Sequence, residues 1–490
     1  VKNIIYFNPD QMRADYLGCY GNPVARTPNI DSLASEGVRF EQCHVQHSVC
    51  TPSRCSFMTG WYPHVRGHRT LWHPLQPDEP NTLKYLKQNG YETHWIGKND
   101  LLAQESFRDS VTAVHVPSSS GASRNRDIFP RDEPGYWSFL YAPLSDHSID
   151  WHRTDQAVEF LRSRRANDPP FMLHFAIVAP HCPFTCPQPW YDMYDPETLP
   201  PMRPSECAGK PSFHRLIRQY RGLDRLDDAV FRKLRAVYMG MISYVDEMLG
   251  RILRALDETG LADNTVIFFF SDHGEWAGDY GLVEKWHSGL DDCLTRVPMI
   301  VRMPGGAKGH VVREPAECFD IMPTTLEIAE VECRHTHFAR SMMSRLEGGR
   351  GDPRRAVFAD GGYDAREPHC REGAMEDMID PDNIYYPKAL VQQERPEASV
   401  RCAMIRTVDR KLVYRPAEVS ELYDLGNDPD ELQNIYGRPE YSGDQSALER
   451  RLLDWFLQTS DVVPFERQMR GFSGKVRQQC QWEQVTCRSS

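Results

Sequence analysis

Val266-Ile267-Phe268-Phe269-Phe270 is an unbroken apolar run, and Ser271-Asp272-His273-Gly274-Glu275 follows it directly. Five apolar residues in succession leave no face for water, so the run reads as a strand covered on both sides, as in a parallel sheet. The residues after it suit a turn at the strand's carboxyl end, the edge at which open α/β sheets bind ligands. One stretch therefore points to both the fold class and the place to look for chemistry.

Outward from it, residues 3–7, 92–96, 171–178 and 299–301 carry the same short apolar signature. Helical periodicity between them predicts helices over 29–36, 82–88, 155–164, 229–256 and 321–329. The expected fold is α/β, with a large, mostly parallel sheet sandwiched by helices. After residue 370 the pattern changes: 403–406, 411–414 and 421–425 read as short antiparallel strands and 446–458 as a closing helix. Two units are expected, a catalytic α/β domain over 1–370 and a smaller C-terminal α+β subdomain with a short antiparallel sheet over 371–490. Residues 116–145 and 185–210 read as long loops of the kind that form lids or subunit contacts.

At 490 residues the chain is long enough for more than one core, and its 40% hydrophobic and 26% charged residues suit a soluble enzyme. The net charge of −12 argues against nucleic acid as a partner, so an anionic substrate would need positive charge gathered in a cleft. No apolar run approaches the ~20 residues of a membrane helix, and no membrane partner is expected. The chain enters its first strand without a charged-then-apolar leader. A cytoplasmic location is expected, or a periplasmic or secreted one with the leader already removed. The fourteen Cys show no regular framework and read mostly as buried thiols, although 182/186 and 480/487 are spaced to bridge in an oxidising compartment. Residues 215–235 are Arg-rich, but Asp224, Asp227 and Asp228 are interleaved, so they read as a solvated helix face or a subunit contact. A homo-oligomer is left open.

Three more strands end in residues with chemistry to offer: Asn8-Pro9-Asp10-Gln11, Gly97-Lys98, and Ala179-Pro180-His181-Cys182-Pro183-Phe184. A lone Asp after a strand is more often a turn former, but four such ends at one edge are a constellation. Asp10, Gln11, Asp272 and His273 offer oxygens and one imidazole, which suit Ca²⁺ or Mg²⁺ better than Zn²⁺. Lys98, Lys285 and Arg54 are the cationic set, and prolines on both sides of His181 stiffen its loop. The remaining signal is Cys50-Thr51-Pro52-Ser53-Arg54 with Thr59-Gly60. Pro52 fits a first helical turn, which puts Cys50 at the helix N-terminus and Arg54 one turn later on the same face.

The Cys-x-Pro-Ser-Arg-x-x-x-x-Thr-Gly pattern resembles the signature of the type I sulfatases of the alkaline-phosphatase-like superfamily. The resemblance runs from residue 3 to about residue 436, with the motifs in the family's order. It implies that Cys50 is oxidised by a formylglycine-generating enzyme or equivalent maturase, and that the hydrated formylglycine is the nucleophile toward a sulfate ester. It implies Ca²⁺, with Mg²⁺ or Mn²⁺ as alternatives, on Asp10, Gln11, Asp272, His273 and the modified Cys50. Arg54 and Lys98 would hold the nucleophile and sulfate oxygens, and His181 and Lys285 the leaving alcohol. Val49 and Met58 replace the usual Leu residues, Gln11 a commoner Asp, and His273 a commoner Asn. Asp100 stands where most sulfatases have a His that helps release sulfate, so either Asp100 or His287 would take that role. Asp10 to Asp15, Asp-Gln-x-Arg-x-Asp, resembles phosphonate monoester and phosphodiester hydrolases of the same superfamily, the rival reading; Lys98 favours a sulfatase. Arg69 and Trp72 would suit a sulfated carbohydrate or another small organic sulfate.

Overall fold

A computed structural model describes residues 1–117, 119–122, 139–165, 167–374 and 376–463. Cys480, Cys487 and the centre of the 116–145 loop lie outside the described residues. The main sheet has eight strands in the order His310–Val312, Val38–Phe40, Met299–Arg302, Thr265–Phe270, Asn3–Pro9, Phe171–Ile177, Glu92–Gly97 and Ala113–His115. All neighbours run parallel except where Met299–Arg302 pairs with Val38–Phe40 and with Thr265–Phe270.

Alternation within each apolar strand feeds two cores. Ile5, Phe7, Ile267 and Phe269 face one layer, whereas Ile4, Tyr6, Val266, Phe268 and Phe270 face the other. Each such side chain, fully buried, contributes on the order of 1.5–3 kcal/mol. The helices Asp228–Thr259, Ile149–Ser163 and Pro28–Ser35 cover the first face. Cys50–Thr59, Thr82–Gln88 and Ile321–Ile328 cover the second. Among the described residues, no helix is long and apolar enough to cross a membrane.

A separate antiparallel sheet joins Val357–Gly361, Cys402–Arg406, Arg410–Tyr414 and Glu421–Asp424. Its first strand precedes residue 370, where the composition changes. The helix Ser442–Thr459 closes it, with Trp455 stacked on Phe358 and edge-on to Tyr62, just beyond the Cys50–Thr59 helix. The Arg-rich stretch is not a solvated face throughout. Arg221 and Arg235 are buried and paired with Glu284 and Asp279, because the loop approaching Lys285 brings acids against that helix pair. Cys182 and Cys186 are buried thiols.

Candidate active site

The carboxyl ends of four strands and the N-terminus of the Cys50–Thr59 helix meet at one point. Cys50 is the first helical residue, Val49 caps it in extended conformation, and Gly60 (φ 71°) ends the helix. All ten helical residues are buried, so the nucleophile candidate is fixed by packing as well as by hydrogen bonds. Gly97 (φ 118°) turns the chain toward Lys98, and a Cβ there would collide with the Ala176 carbonyl.

Asp10, Cys50, Asp272 and His273 each aim one donor atom at a common centre, all within 4.8 Å of one another. Cys50 Sγ lies 3.6 Å from Asp10 Oδ1 and 3.2 Å from His273 Nε2. The Gly274 carbonyl accepts from His273 Nδ1 (2.8 Å), so the lone pair on Nε2 faces the cluster. Two carboxylates, one imidazole and position 50 make a donor set that fits a divalent cation. Gln11 adjoins the cluster but turns its side chain elsewhere. Its Oε1 accepts from Lys285 Nζ (2.8 Å) and its Nε2 donates to Glu275, while its backbone N–H donates to Asp272 Oδ1 (3.0 Å).

Cations close the other sides. Arg54 donates from Nε to Asp272 Oδ2 (2.8 Å) and from Nη2 to Asp10 Oδ2 (3.1 Å), with no exposed surface on any of the three side chains. Lys98 Nζ reaches Asp10 Oδ2 (2.6 Å) and lies 3.8 Å from Cys50 Sγ. Burial alone would raise Asp10, yet the ammonium of Lys98 and the guanidinium of Arg54 hold it well below the usual carboxylate range. Burial, with Asp10 adding to it, pushes the Cys50 thiol up, so the unmodified thiol is a poor nucleophile here. Burial and the neighbouring Lys285 push His181 well below the ordinary His value.

His181 and Lys285 form a pair. The Cys182 carbonyl accepts from His181 Nδ1 (2.6 Å), leaving the Nε2 lone pair to accept from Lys285 Nζ (2.7 Å). The loop before Lys285 is held by Glu284, which pairs with Arg221 (2.6 Å) and Lys388 (3.1 Å). Asp100 Oδ2 pairs with Lys98 Nζ (2.7 Å) and so approaches the centre through that ammonium. His287 is fully buried and stacked on Tyr363 (4.1 Å), and neither ring nitrogen has a hydrogen-bond partner. Arg69 pairs with Glu367 (2.7 Å), Trp72 is half-buried in the same loop, and the Leu71 carbonyl of that loop accepts from Thr51 Oγ1 (3.3 Å), next to Cys50.

Sequence reasoning gave no role to Glu275 or Lys388. Glu275, pushed up to about 7 by burial, orients Gln11 and accepts from the Ala277 N–H (2.9 Å). Its place directly after the Asp272-His273-Gly274 turn was the available signal. Lys388 had none, since it lies in a helix more than a hundred residues downstream.

The fold and this edge-of-sheet centre define an alkaline-phosphatase-like hydrolase. The Sulfatase family profile matches residues 2–331, and the chain belongs to that family of sulfuric ester hydrolases. It is 28% identical to the uncharacterized sulfatase YidJ of Escherichia coli K12, over 94% of this chain and 88% of that protein. It is 26% identical to an N-acetylglucosamine-6-O-sulfatase of Bacteroides thetaiotaomicron, over 97% of this chain and 90% of that one. The phosphonate monoester hydrolase of Agrobacterium radiobacter shares the fold with a TM-score of 0.77 at 22% identity, covering 94% of this chain and 96% of that one.

Proposed function

We propose that the chain hydrolyses a sulfate monoester of a carbohydrate or other small organic alcohol, with position 50, oxidised from Cys to formylglycine, as the nucleophile. The observation that carries this reading is the placement of Cys50 at a buried helix N-terminus, facing Asp10, Asp272 and His273 and flanked by Lys98. Formylglycine, hydrated, supplies a hydroxyl that attacks sulfur and a second that later expels sulfate. A divalent ion, Ca²⁺ in this proposal, would be held by Asp10, Asp272, His273 and position 50 and would act as a Lewis acid. Gln11 joins that set only if its side chain leaves Lys285.

The chain's own groups have separable tasks. Arg54 fixes the two carboxylates, and removing it would leave buried charges uncompensated. Lys98 places positive charge between position 50 and the sulfate oxygens. The Lys285–His181 pair carries the proton that the departing alkoxide needs, with Lys285 as its resident donor. Asp100, tied to the centre through Lys98, is better placed than the sealed His287 for the proton transfer that most sulfatases assign to a His.

A second reading, phosphonate monoester or phosphodiester hydrolysis, is favoured by the resemblance of Asp10 to Asp15 and by the shared fold with a phosphonate monoester hydrolase. The test combines two measurements. Peptide mass spectrometry should find position 50 about 18 Da below the Cys value. The matured enzyme should hydrolyse 4-nitrophenyl sulfate with higher kcat/KM than 4-nitrophenyl phenylphosphonate. The reverse preference would replace this reading with the second, and an unmodified Cys50 in active enzyme would remove the nucleophile.

A further inference from the structure

The strand Phe171–Ile177 delivers His181, yet its ladder stops short of it. The last contact is at Ile177, whose carbonyl accepts from the Asp10 N–H (3.2 Å). Beyond it the Val178 and Ala179 N–H groups turn inward, and Pro180 has none to offer. A single carboxylate oxygen takes both: Asp150 Oδ2 accepts from Val178 N (2.9 Å) and from Ala179 N (2.8 Å). Asp150 is 2% exposed, and its Oδ1 accepts from Arg153 Nη1 (2.8 Å). It stands in the first turn of the helix Ile149–Ser163, where the helix dipole favours a carboxylate. The Val178 carbonyl in turn accepts from the His181 N–H (2.9 Å), so carboxylate, turn and imidazole are linked through backbone alone.

We propose that Asp150 is a positioning residue for His181, holding the 178–181 turn so that the imidazole meets Lys285 and the leaving oxygen. The inference rests on the reading of His181 and Lys285 as the pair that serves the leaving group. Catalysis falls steeply when such a group is displaced by about 1 Å. The loss should be selective, because an ester with a good leaving group needs no proton in the transition state.

The experiment compares phenyl sulfate, a basic leaving group, with 4-nitrophenyl sulfate on the full-length matured enzyme. Asp150→Ala should lower kcat about 10–100-fold on phenyl sulfate and less than about threefold on 4-nitrophenyl sulfate. Asp150→Asn keeps an acceptor oxygen and should stay within about threefold of wild type on both. His181→Asn should show the same selectivity, more strongly. Equal losses on the two esters from Asp150→Ala, beside a selective His181→Asn, overturn the inference. Equal losses from His181→Asn overturn the leaving-group reading instead. A crystal structure of Asp150→Ala decides independently of turnover: a displaced His181 supports the proposal, and an unmoved His181–Lys285 contact overturns it.

Discussion

Two regions of this molecule bury dense charge, and they are built differently. Under the C-terminal sheet, Lys411 sits between Asp292 (2.9 Å) and Glu431, Arg406 reaches Asp292 (3.1 Å), Lys210 pairs with Asp291 (2.7 Å) and Arg415 with Glu421 (3.0 Å). Each acid there has a cation directly against it. At the strand ends Asp10 and Asp272 also have cations against them, Arg54 and Lys98, but with His273 and Cys50 they aim donor atoms at one shared centre as well. Buried charge therefore does not mark a site by itself. Lone pairs converging with no cation between them do, because such an arrangement is costly unless something positive joins it.

The sharpest way to test this contrast is to remove one member from each region. Cys50→Ala should reduce kcat by about 10³-fold or more while leaving the thermal unfolding curve in place. Substantial turnover by that variant would show that the convergent region is not the reaction centre. Lys411→Met should do the opposite. Leaving Glu431 without its cation and Asp292 with Arg406 alone should cost about 3–5 kcal/mol in denaturant unfolding, with unchanged kcat in the folded enzyme. A stable but inactive Lys411→Met would erase the distinction between the regions.

Metal removal separates them by a smaller margin. Chelation should lower stability by about 2.7 kcal/mol relative to enzyme at a hundredfold excess of Ca²⁺ over Kd. Asp10→Asn should abolish most of that difference in a thermal shift assay, and Lys411→Met should retain it. Asp100→Asn sharpens the picture within the site. A burst of alcohol followed by turnover slowed about tenfold would assign Asp100 to the later step. Slowing without a burst would return that role to His287.

The smallest effect lies in neither region. Asp246 accepts from the Ile30 N–H (2.8 Å) and from Asn29, and burial pushes it up to about 6. A carboxyl with a raised folded value binds its proton more tightly when folded, so its contribution to stability falls as pH rises from about 4 to 6. Asp246→Asn should therefore gain on wild type between pH 4 and pH 6 and hold a constant difference above that. A flat difference across the window would contradict the raised value.

The central strands were legible because each is an apolar run with a turn at its end. The 265–270 strand and the Asp272-His273 turn could be read from a dozen residues. Edge strands such as Ala113–His115 and His310–Val312 were not, since three residues of mixed exposure carry no period. Val357–Gly361 contains Asp360 and Gly361, which break its apolar run and hid the first strand of the C-terminal sheet. Asp10, Cys50, Asp272 and His273 were grouped from their strand-end and helix-start positions. The rotation of Gln11 toward Lys285 was not readable, because it depends on Glu275 and Lys285 meeting across a loop. Long-range supports such as Lys388 and Asp150 leave no local trace.

The place of Asn3–Pro9 in the middle of the sheet has a consequence for the newborn chain. Its two neighbours, Phe171–Ile177 and Thr265–Phe270, are made long after it. Until the ribosome has delivered Phe270, the floor beneath Cys50 is incomplete and the thiol cannot be sealed away. At about 5–20 residues per second, the stretch from Cys50 to Phe270 takes roughly 10–45 s to synthesise. The enzyme that the proposed formylglycine requires would have that interval to reach a Cys that the finished fold leaves only 2% exposed.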